Sequence, residues 1–249
     1  MKALLLSTAL VLAPMTAAAL DLSDMSPAEK EAFGAQVRAY LMENPQVLRE
    51  VIEVLEQRQE AEQAAADQAL VAANAADLYD DAASWVGGNP EGDITIVEFI
   101  DYSCGFCRRA HPEATELVES DGNIRLIVKE FPILGEQSLV ASRFAIAALQ
   151  TEGPEAYKAA HDKLITLDGE VNETALRQIA DEAGMDTDSV MAAMTDPEID
   201  GVIAQNRALA QRLQINGTPT FVMAGQMIRG YIPLDGMREL VSAARAEAD

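Results

Sequence analysis

Two cysteines, Cys104 and Cys107, lie directly after a short apolar segment and at the start of a predicted helix. The segment before them, residues 94–100, is nearly continuous and rich in β-branched side chains, which is typical of a strand covered on both faces. A helical pattern follows over residues 104–119, and residues 124–129 repeat the strand pattern. This order predicts a parallel strand–helix–strand unit with a right-handed crossover. The cysteines therefore lie where a buried strand ends and a helix begins.

This placement favours redox chemistry over a structural role for the pair. Cysteines three residues apart close almost no loop, so a disulfide between them adds little chain-entropy stabilisation. At a helix N-terminus, free backbone N–H groups and the helix dipole stabilise an anion on the first sulfur. We therefore expect Cys104, at the exposed start of the helix, to be the attacking nucleophile. Cys107 would be the resolving thiol that breaks the mixed disulfide.

Two other uses of the pair fit less well. Covalent haem attachment needs a histidine directly after the second cysteine, where this chain has Arg108. A metal site could recruit His111, one helical turn beyond Cys107, but two sulfurs and one nitrogen fall short of a closed structural site. His111 is therefore interpreted as a helix-surface residue near the cysteines. His161 is interpreted as an ordinary helix residue, because the sequence names no partner for it.

The first 19 residues have the pattern of an export signal. Lys2 gives a positive start, an apolar run follows over residues 3–12, and alanines 17–19 form a small-residue cleavage site. The run is too short to span a bilayer as a mature helix, although an uncleaved anchor is the alternative. We expect cleavage near Ala19.

The charge balance limits the partners of the chain. Asp and Glu number 41 against 18 Lys and Arg, giving a formal charge of −23. Such a surface repels phosphate backbones and anionic lipid, so neither nucleic acid nor a membrane surface is an expected partner.

Residues 20–81 are predicted to form an N-terminal helical extension. Ser26 and Glu29 form a capping box at the start of the first helix, and Pro45 separates this helix from a long second one. The apolar stripe of the second helix could be an oligomerisation seam or could pack on the protein's own body, and periodicity leaves both open. The stripe consists of Leu48, Val51, Ile52 and Leu55.

Residues 82–249 are predicted to form a second unit, and a dense group of turn residues between 87 and 93 marks the entry into it. The pattern from about residue 136 to residue 213 is helical throughout, which predicts several consecutive helices. Strand character returns at residues 220–223 and 227–229, and a helix over residues 234–247 closes the chain. The elements together predict an α/β unit preceded by a helical extension.

Two charged residues interrupt the apolar strands. Glu98 lies six residues before Cys104, and Lys129 lies near the end of the neighbouring strand. Burying either charge alone is costly, so we expect the two to pair beneath the cysteines. Buried there, they could exchange a proton with Cys107. The alternative is that both point outwards at the strand ends.

A second motif is Gly217-Thr218-Pro219-Thr220-Phe221. A proline at the start of a strand, after a glycine turn, fits a cis peptide bond. Beside the cysteines, Thr218 would expose its backbone to pair with an extended substrate strand.

The residues from Val97 to Cys107, together with Pro112 and the second motif, resemble the DsbA family of thioredoxin-fold proteins. The helical segment between the motifs resembles that family's insertion. Residues 40–45 are similar to the N-terminal extension of DsbA-like proteins of the suppressor-of-copper-sensitivity (ScsC-like) group. The resemblance implies a thioredoxin fold with a helical insertion, preceded by an N-terminal α-helical arm.

The resemblance also implies a periplasmic thiol–disulfide oxidoreductase with no cofactor or metal besides its redox-active cysteine pair. Its site residues would be Cys104, Cys107, Thr218, a cis Pro219, and Glu98 with Lys129 where the family often keeps a buried charged pair. The Gly105-Phe106 dipeptide departs from the Pro-His of strongly oxidising members and is closer to the Gly-Tyr of periplasmic isomerases. Strong oxidase activity is therefore not implied, and disulfide formation and isomerisation both remain open.

The implied partners are unfolded or misfolded exported proteins, a membrane redox partner that recycles the cysteine pair, and further copies of the chain bound through the N-terminal helices. The alternative from a different class is a soft-metal (copper) binding or chaperone-like protein that uses the same cysteines.

Overall fold

The computed structural model describes residues 25–248, which form ten helices and five strands. The predicted export signal and its cleavage site at Ala19 lie outside the described residues. By its internal contacts the chain divides into two compact units, Met1–Arg58 and Gln59–Asp249. Among the described residues, no helix is both long enough and apolar enough to cross a membrane.

The first unit contains α1 (Pro27–Glu43) and the beginning of α2 (Gln46–Ala73). The predicted capping box is confirmed: the Ser26 hydroxyl accepts the backbone N–H of Glu29, and the Glu29 carboxylate accepts the backbone N–H of Ser26 at 2.8 Å. Helix α1 has no buried residue. Large apolar side chains are exposed along both helices, namely Phe33, Val37, Tyr40, Met42, Leu48, Val51, Ile52, Val54 and Leu55.

The second unit is built on a mixed five-stranded sheet in the order β1-β3-β2-β4-β5. Strands β2 and β3 are parallel as predicted, and the other neighbours are antiparallel. The strands are β1 (Trp85–Gly88), β2 (Ile94–Ile100), β3 (Ile124–Glu130), β4 (Thr220–Met223) and β5 (Gln226–Arg229).

Strand β1 was not predicted, because Gly87 and Gly88 are turn residues by type. It is an edge strand of four residues, and Gly88 ends it with a φ of +67°. A Cβ at Gly88 would lie 2.3 Å from the carbonyl oxygen of Ile124, so only glycine fits this close approach of the two strands.

Helices cover both faces of the sheet, and the predicted insertion of helices is confirmed. Beyond α2 the helices are α3 (Ala75–Tyr79), α4 (Gly105–Asp121), α5 (Glu136–Glu152), α6 (Pro154–Thr166), α7 (Glu173–Glu182), α8 (Thr187–Ala193), α9 (Pro197–Arg212) and α10 (Leu234–Ala248). One core cluster joins Ile100 and Val128 of the sheet to α5 and α6. On the other face, Val71 of α2 and Leu78 of α3 pack in one cluster with Phe99. The end of α2 and all of α3 therefore belong to the core of the sheet unit.

Candidate active site

Cys104 is the N-cap residue of α4, and Cys107 lies in the first turn of that helix. The predicted position at the join of strand and helix is therefore confirmed. The backbone N–H of Cys104 donates to the carbonyl oxygen of Asp101 at 3.0 Å. Both cysteines are free thiols, and both are buried. The predicted exposed helix start is wrong for the Cys104 side chain, since it is covered by the segment described next.

The covering segment is the second sequence motif, 114 residues away from Cys104. The Thr218–Pro219 peptide bond is cis, as predicted. The Cys104 thiol donates to the backbone carbonyl oxygen of Thr218, with Sγ and oxygen 3.2 Å apart. The Thr220 hydroxyl donates to the Gly217 carbonyl at 2.9 Å and fixes the turn. The fold therefore brings the two motifs into direct contact.

Cys107 and Glu98 form the buried part of the site. Burial raises the pKa of the Cys107 thiol, and the charge of Glu98 raises it further. Burial also raises the pKa of Glu98 to about 8, with a smaller contribution from Glu130. Glu98 is thus a carboxyl group that gains or loses its proton near neutral pH, close to the Cys107 thiol.

Lys129 does not belong to this site, and the predicted Glu98–Lys129 pair is wrong. Lys129 is paired in register with Phe99, one position beyond Glu98, so it points to the opposite face of the sheet. There its ammonium group contacts the Asp81 carboxylate at 2.6 Å and the Asp77 carbonyl at 2.9 Å. The expectation that Lys129 is buried and paired holds, but its partner is Asp81.

Glu130 is a buried acid that the sequence reasoning missed. Its carboxylate accepts the hydroxyls of Tyr102 and Tyr157 at 2.8 and 2.6 Å on one oxygen, and that of Ser142 at 2.6 Å on the other. Burial raises the pKa of Glu130 to about 7, although the three hydrogen bonds oppose the shift. The available signal was an acidic residue at the end of an apolar strand, beside Lys129.

Asp101 is a second missed residue, and it fixes the loop before the cysteines. One of its oxygens accepts the backbone N–H of Ser103 at 2.8 Å. The other accepts those of Ile133 and Leu134 at 2.7 and 2.9 Å. This fully buried carboxylate therefore ties the cysteine loop to the segment after β3.

The two tied segments carry exposed apolar side chains. Phe106, between the cysteines, is 59% exposed, and Ile133 and Leu134 are exposed as well. Large apolar groups beside a buried thiol form a surface on which an apolar segment of another chain could bind.

The two histidines, His111 of α4 and His161 of α6, lie against each other. Their rings are in edge contact, with centroids 5.0 Å apart. His161, for which the sequence names no partner, is a buried residue of α6: its Nδ1 lies 3.1 Å from the Tyr102 hydroxyl, and its ring stacks on Tyr157. Burial lowers the pKa of His161 to about 3 and also lowers that of His111.

Comparison with known protein families identifies the family to which the chain belongs. Residues 80–243 match the family model described as Thioredoxin. The chain belongs to the thioredoxin family. Its N-terminal residues 29–62 match the model described as Copper resistance protein ScsC N-terminal domain. The thioredoxin fold, the likeness to DsbA proteins and the ScsC-like extension implied by the sequence motifs are therefore confirmed.

Three solved structures illustrate this membership of the thioredoxin family. A thioredoxin-like oxidoreductase from Silicibacter pomeroyi is 44% identical, with 69% of this chain and 97% of that one covered and a TM-score of 0.64. A linker-deletion mutant of Proteus mirabilis ScsC is 25% identical, with 91% and 100% covered and a TM-score of 0.66. The thiol-disulfide exchange protein α-DsbA2 from Wolbachia pipientis is 25% identical, with 72% and 95% covered and a TM-score of 0.67.

The curated relatives of this thioredoxin-family chain are longer proteins. A Na⁺/H⁺ antiporter NhaA of Salinispora tropica is 28% identical over 163 residues, which are 66% of this chain. The chain spans about a quarter of the length of the curated relatives that it matches.

Proposed function

We propose that this chain is an exported thiol–disulfide oxidoreductase that acts on protein thiols in the periplasm through Cys104 and Cys107. The observation that carries the proposal is the contact of Cys104 Sγ, at the N-terminus of α4, with the carbonyl oxygen of Thr218. A nucleophilic sulfur beside a partly exposed backbone segment, Gly217 and Thr218, suits a substrate that is itself an extended polypeptide. The similarity to proteins described as a thioredoxin-like oxidoreductase and a thiol-disulfide exchange protein supports it.

In the proposed reaction, the Cys104 thiolate attacks one sulfur of a substrate disulfide. A mixed disulfide forms, and the other substrate sulfur leaves as a thiolate. Cys107 then loses its proton and attacks Cys104, which releases the second substrate sulfur and leaves a Cys104–Cys107 disulfide. In isomerisation a substrate thiol, instead of Cys107, attacks the mixed disulfide. Glu98 is the nearby group that we propose accepts the proton of Cys107.

The proposed substrates are unfolded or misfolded exported proteins. Phe106, Ile133 and Leu134 offer them an apolar surface around the cysteine loop. Such side chains select chains that expose apolar segments, because binding removes apolar surface of both partners from water. A membrane redox partner would recycle the cysteine pair, and isomerisation is favoured over strong oxidation by the residues between the cysteines.

Self-association would place several active sites near one substrate. The exposed apolar side chains of α1 and α2 in the first unit supply a surface for binding further copies. Two or more sites on one assembly raise the effective concentration of thiol at a bound substrate, which aids repeated exchange.

The deciding experiment traps the intermediate. In a reduced Cys107→Ser variant the mixed disulfide between Cys104 and a protein substrate with scrambled disulfides should accumulate, because the resolving thiol is missing. A Cys104→Ser variant is the matched control and should trap nothing. If neither variant forms an adduct, the proposed function is wrong.

The reduction potential then gives the direction of exchange. A value near about −120 mV, that of a strong periplasmic oxidant, would make the protein a disulfide donor. A value well below about −200 mV would favour a protein kept reduced, as an isomerase or reductase needs.

The match to the model described as Copper resistance protein ScsC N-terminal domain favours a second candidate function. In this candidate the chain is a chaperone-like or metal-binding protein whose two thiols bind a soft metal such as copper. The mass of the isolated protein with and without a chelator separates this candidate from the first, because a disulfide-bonded protein carries no metal on its sulfurs.

A further inference from the structure

A cavity of about 360 Å³ lies behind the active-site helix α4. Its wall includes His111 of α4, His161 and Asp162 of α6, and Glu98 of β2. None of the roles proposed above uses His111, His161 or Asp162.

The three residues on the helices are arranged as a ligand set. One donor atom from each of His111, His161 and Asp162 lies within 4.8 Å of the others. His111 Nε2 and Asp162 Oδ1 are 3.4 Å apart. Ligands about 2.0–2.1 Å from a tetrahedral zinc ion are separated from one another by about 3.3 Å, so this pair needs almost no movement. Lys158 binds the other oxygen of Asp162 at 2.7 Å and leaves Oδ1 facing the histidine.

Hydrogen bonds outside the cluster prepare His161 to act as a ligand. The Tyr102 hydroxyl donates its proton to Glu130 at 2.8 Å, so its oxygen accepts the Nδ1–H of His161 at 3.1 Å. This assignment leaves Nε2 of His161 unprotonated with a free lone pair. Metal-binding histidines are commonly held in this way, with the second ring nitrogen donating to a fixed acceptor.

Glu98 is a separate indication of a cation in this cavity. Its side chain is only 4% exposed and lines the cavity. A carboxylate in such a wall is poorly solvated by water, and a bound cation would offset that cost.

We propose that His111, His161 and Asp162 bind one divalent transition-metal ion, with the Glu98 carboxyl group facing it across the cavity. Two imidazole nitrogens and carboxylate oxygens are ligands that suit zinc, and cobalt binds to ligands of the same kinds. The site uses no sulfur, so it is distinct from the Cys104–Cys107 pair.

The test uses the full chain with both cysteines replaced by serine, so that sulfur cannot bind the metal. Zinc is titrated by calorimetry and cobalt by visible absorption, which reports tetrahedral coordination. We expect one equivalent of each metal to bind. His111→Ala and Asp162→Asn should each weaken binding by roughly tenfold or more, because even the loss of a group that only supports a ligand costs about that much.

Glu119→Gln is the matched control, because Glu119 lines the same cavity but is not in the cluster. It should leave the affinity unchanged. Circular dichroism checks that each variant is folded, and Asp162→Asn, at a partly exposed position, keeps the test available if His111→Ala unfolds. The proposal is overturned if the serine variant binds neither metal, or if both ligand substitutions leave the affinity unchanged.

Discussion

Glu98 and Lys129 lie on neighbouring parallel strands, one position out of register, and face opposite sides of the sheet. Glu98 is level with Val128, and Lys129 is level with Phe99. Because side chains alternate between the faces of a strand, this offset of one residue separates the two charges completely. The acid remains beside Cys107, and the base pairs with Asp81 on the far side.

The separation predicts that Lys129 supports the fold but not the exchange reaction. Lys129→Met leaves the Asp81 carboxylate without its cationic partner and should lower the free energy of unfolding by about 3 kcal/mol. Adding Asp81→Asn should recover part of that loss. Urea unfolding measures both effects. The rate of disulfide exchange per folded molecule should stay within about twofold of wild type. A tenfold loss would show that Lys129 takes part in the exchange reaction.

Glu98 predicts a pH dependence of stability. Its pKa is raised from 4.5 to about 8, so the folded chain holds this proton more tightly than the unfolded chain does. The stabilisation is therefore fully present at low pH and is lost as the pH rises towards about 8, on the order of 1.4 kcal/mol per pH unit.

Glu98→Gln should remove this contribution. The fall of the unfolding free energy between pH 5 and pH 8 should then become less steep by about 1.4 kcal/mol per pH unit, the amount that one bound proton contributes. Glu119→Gln, which changes an exposed acid, should keep the wild-type slope. An unchanged slope in the Glu98 variant would show that the carboxyl group ionises normally in the folded protein.

Asp101 predicts a link between the cysteine loop and the segment after β3. Asp101→Ala removes three charge-assisted hydrogen bonds and should lower the free energy of unfolding by about 3 kcal/mol. Asp101→Asn keeps one acceptor oxygen and should cost less. Hydrogen exchange should show faster opening at Ser103, Ile133 and Leu134 together. Faster exchange at Ser103 alone would contradict the link.

The apolar stripe of α2 predicts self-association. Ile52→Lys together with Leu55→Lys should reduce the mass measured by light scattering to that of a single chain, because charges in an apolar interface are costly. Glu50→Lys adds positive charge on the opposite helical face and should keep the assembly. A single-chain mass for the unaltered protein would mean that the stripe does not join copies.

Much of the architecture followed from local patterns. The capping box at Ser26, the strand over residues 94–100 and the helix start after Cys104 each depend on neighbours in the sequence, so short-range rules predicted them. Strand β1 was missed for the same reason: its glycines have turn propensity, and only pairing with β3 makes them a strand.

The sequence by itself determined where the cysteine pair and the cis proline motif lie and which elements carry them, because each is specified within a few residues. Only the tertiary structure decided which buried charges meet. The contacts of Glu130 with Tyr102 and Tyr157, and of Lys129 with Asp81, join residues 27 to 48 positions apart. Strand register and helix packing set these partners, and both are properties of the whole fold and not of any one segment.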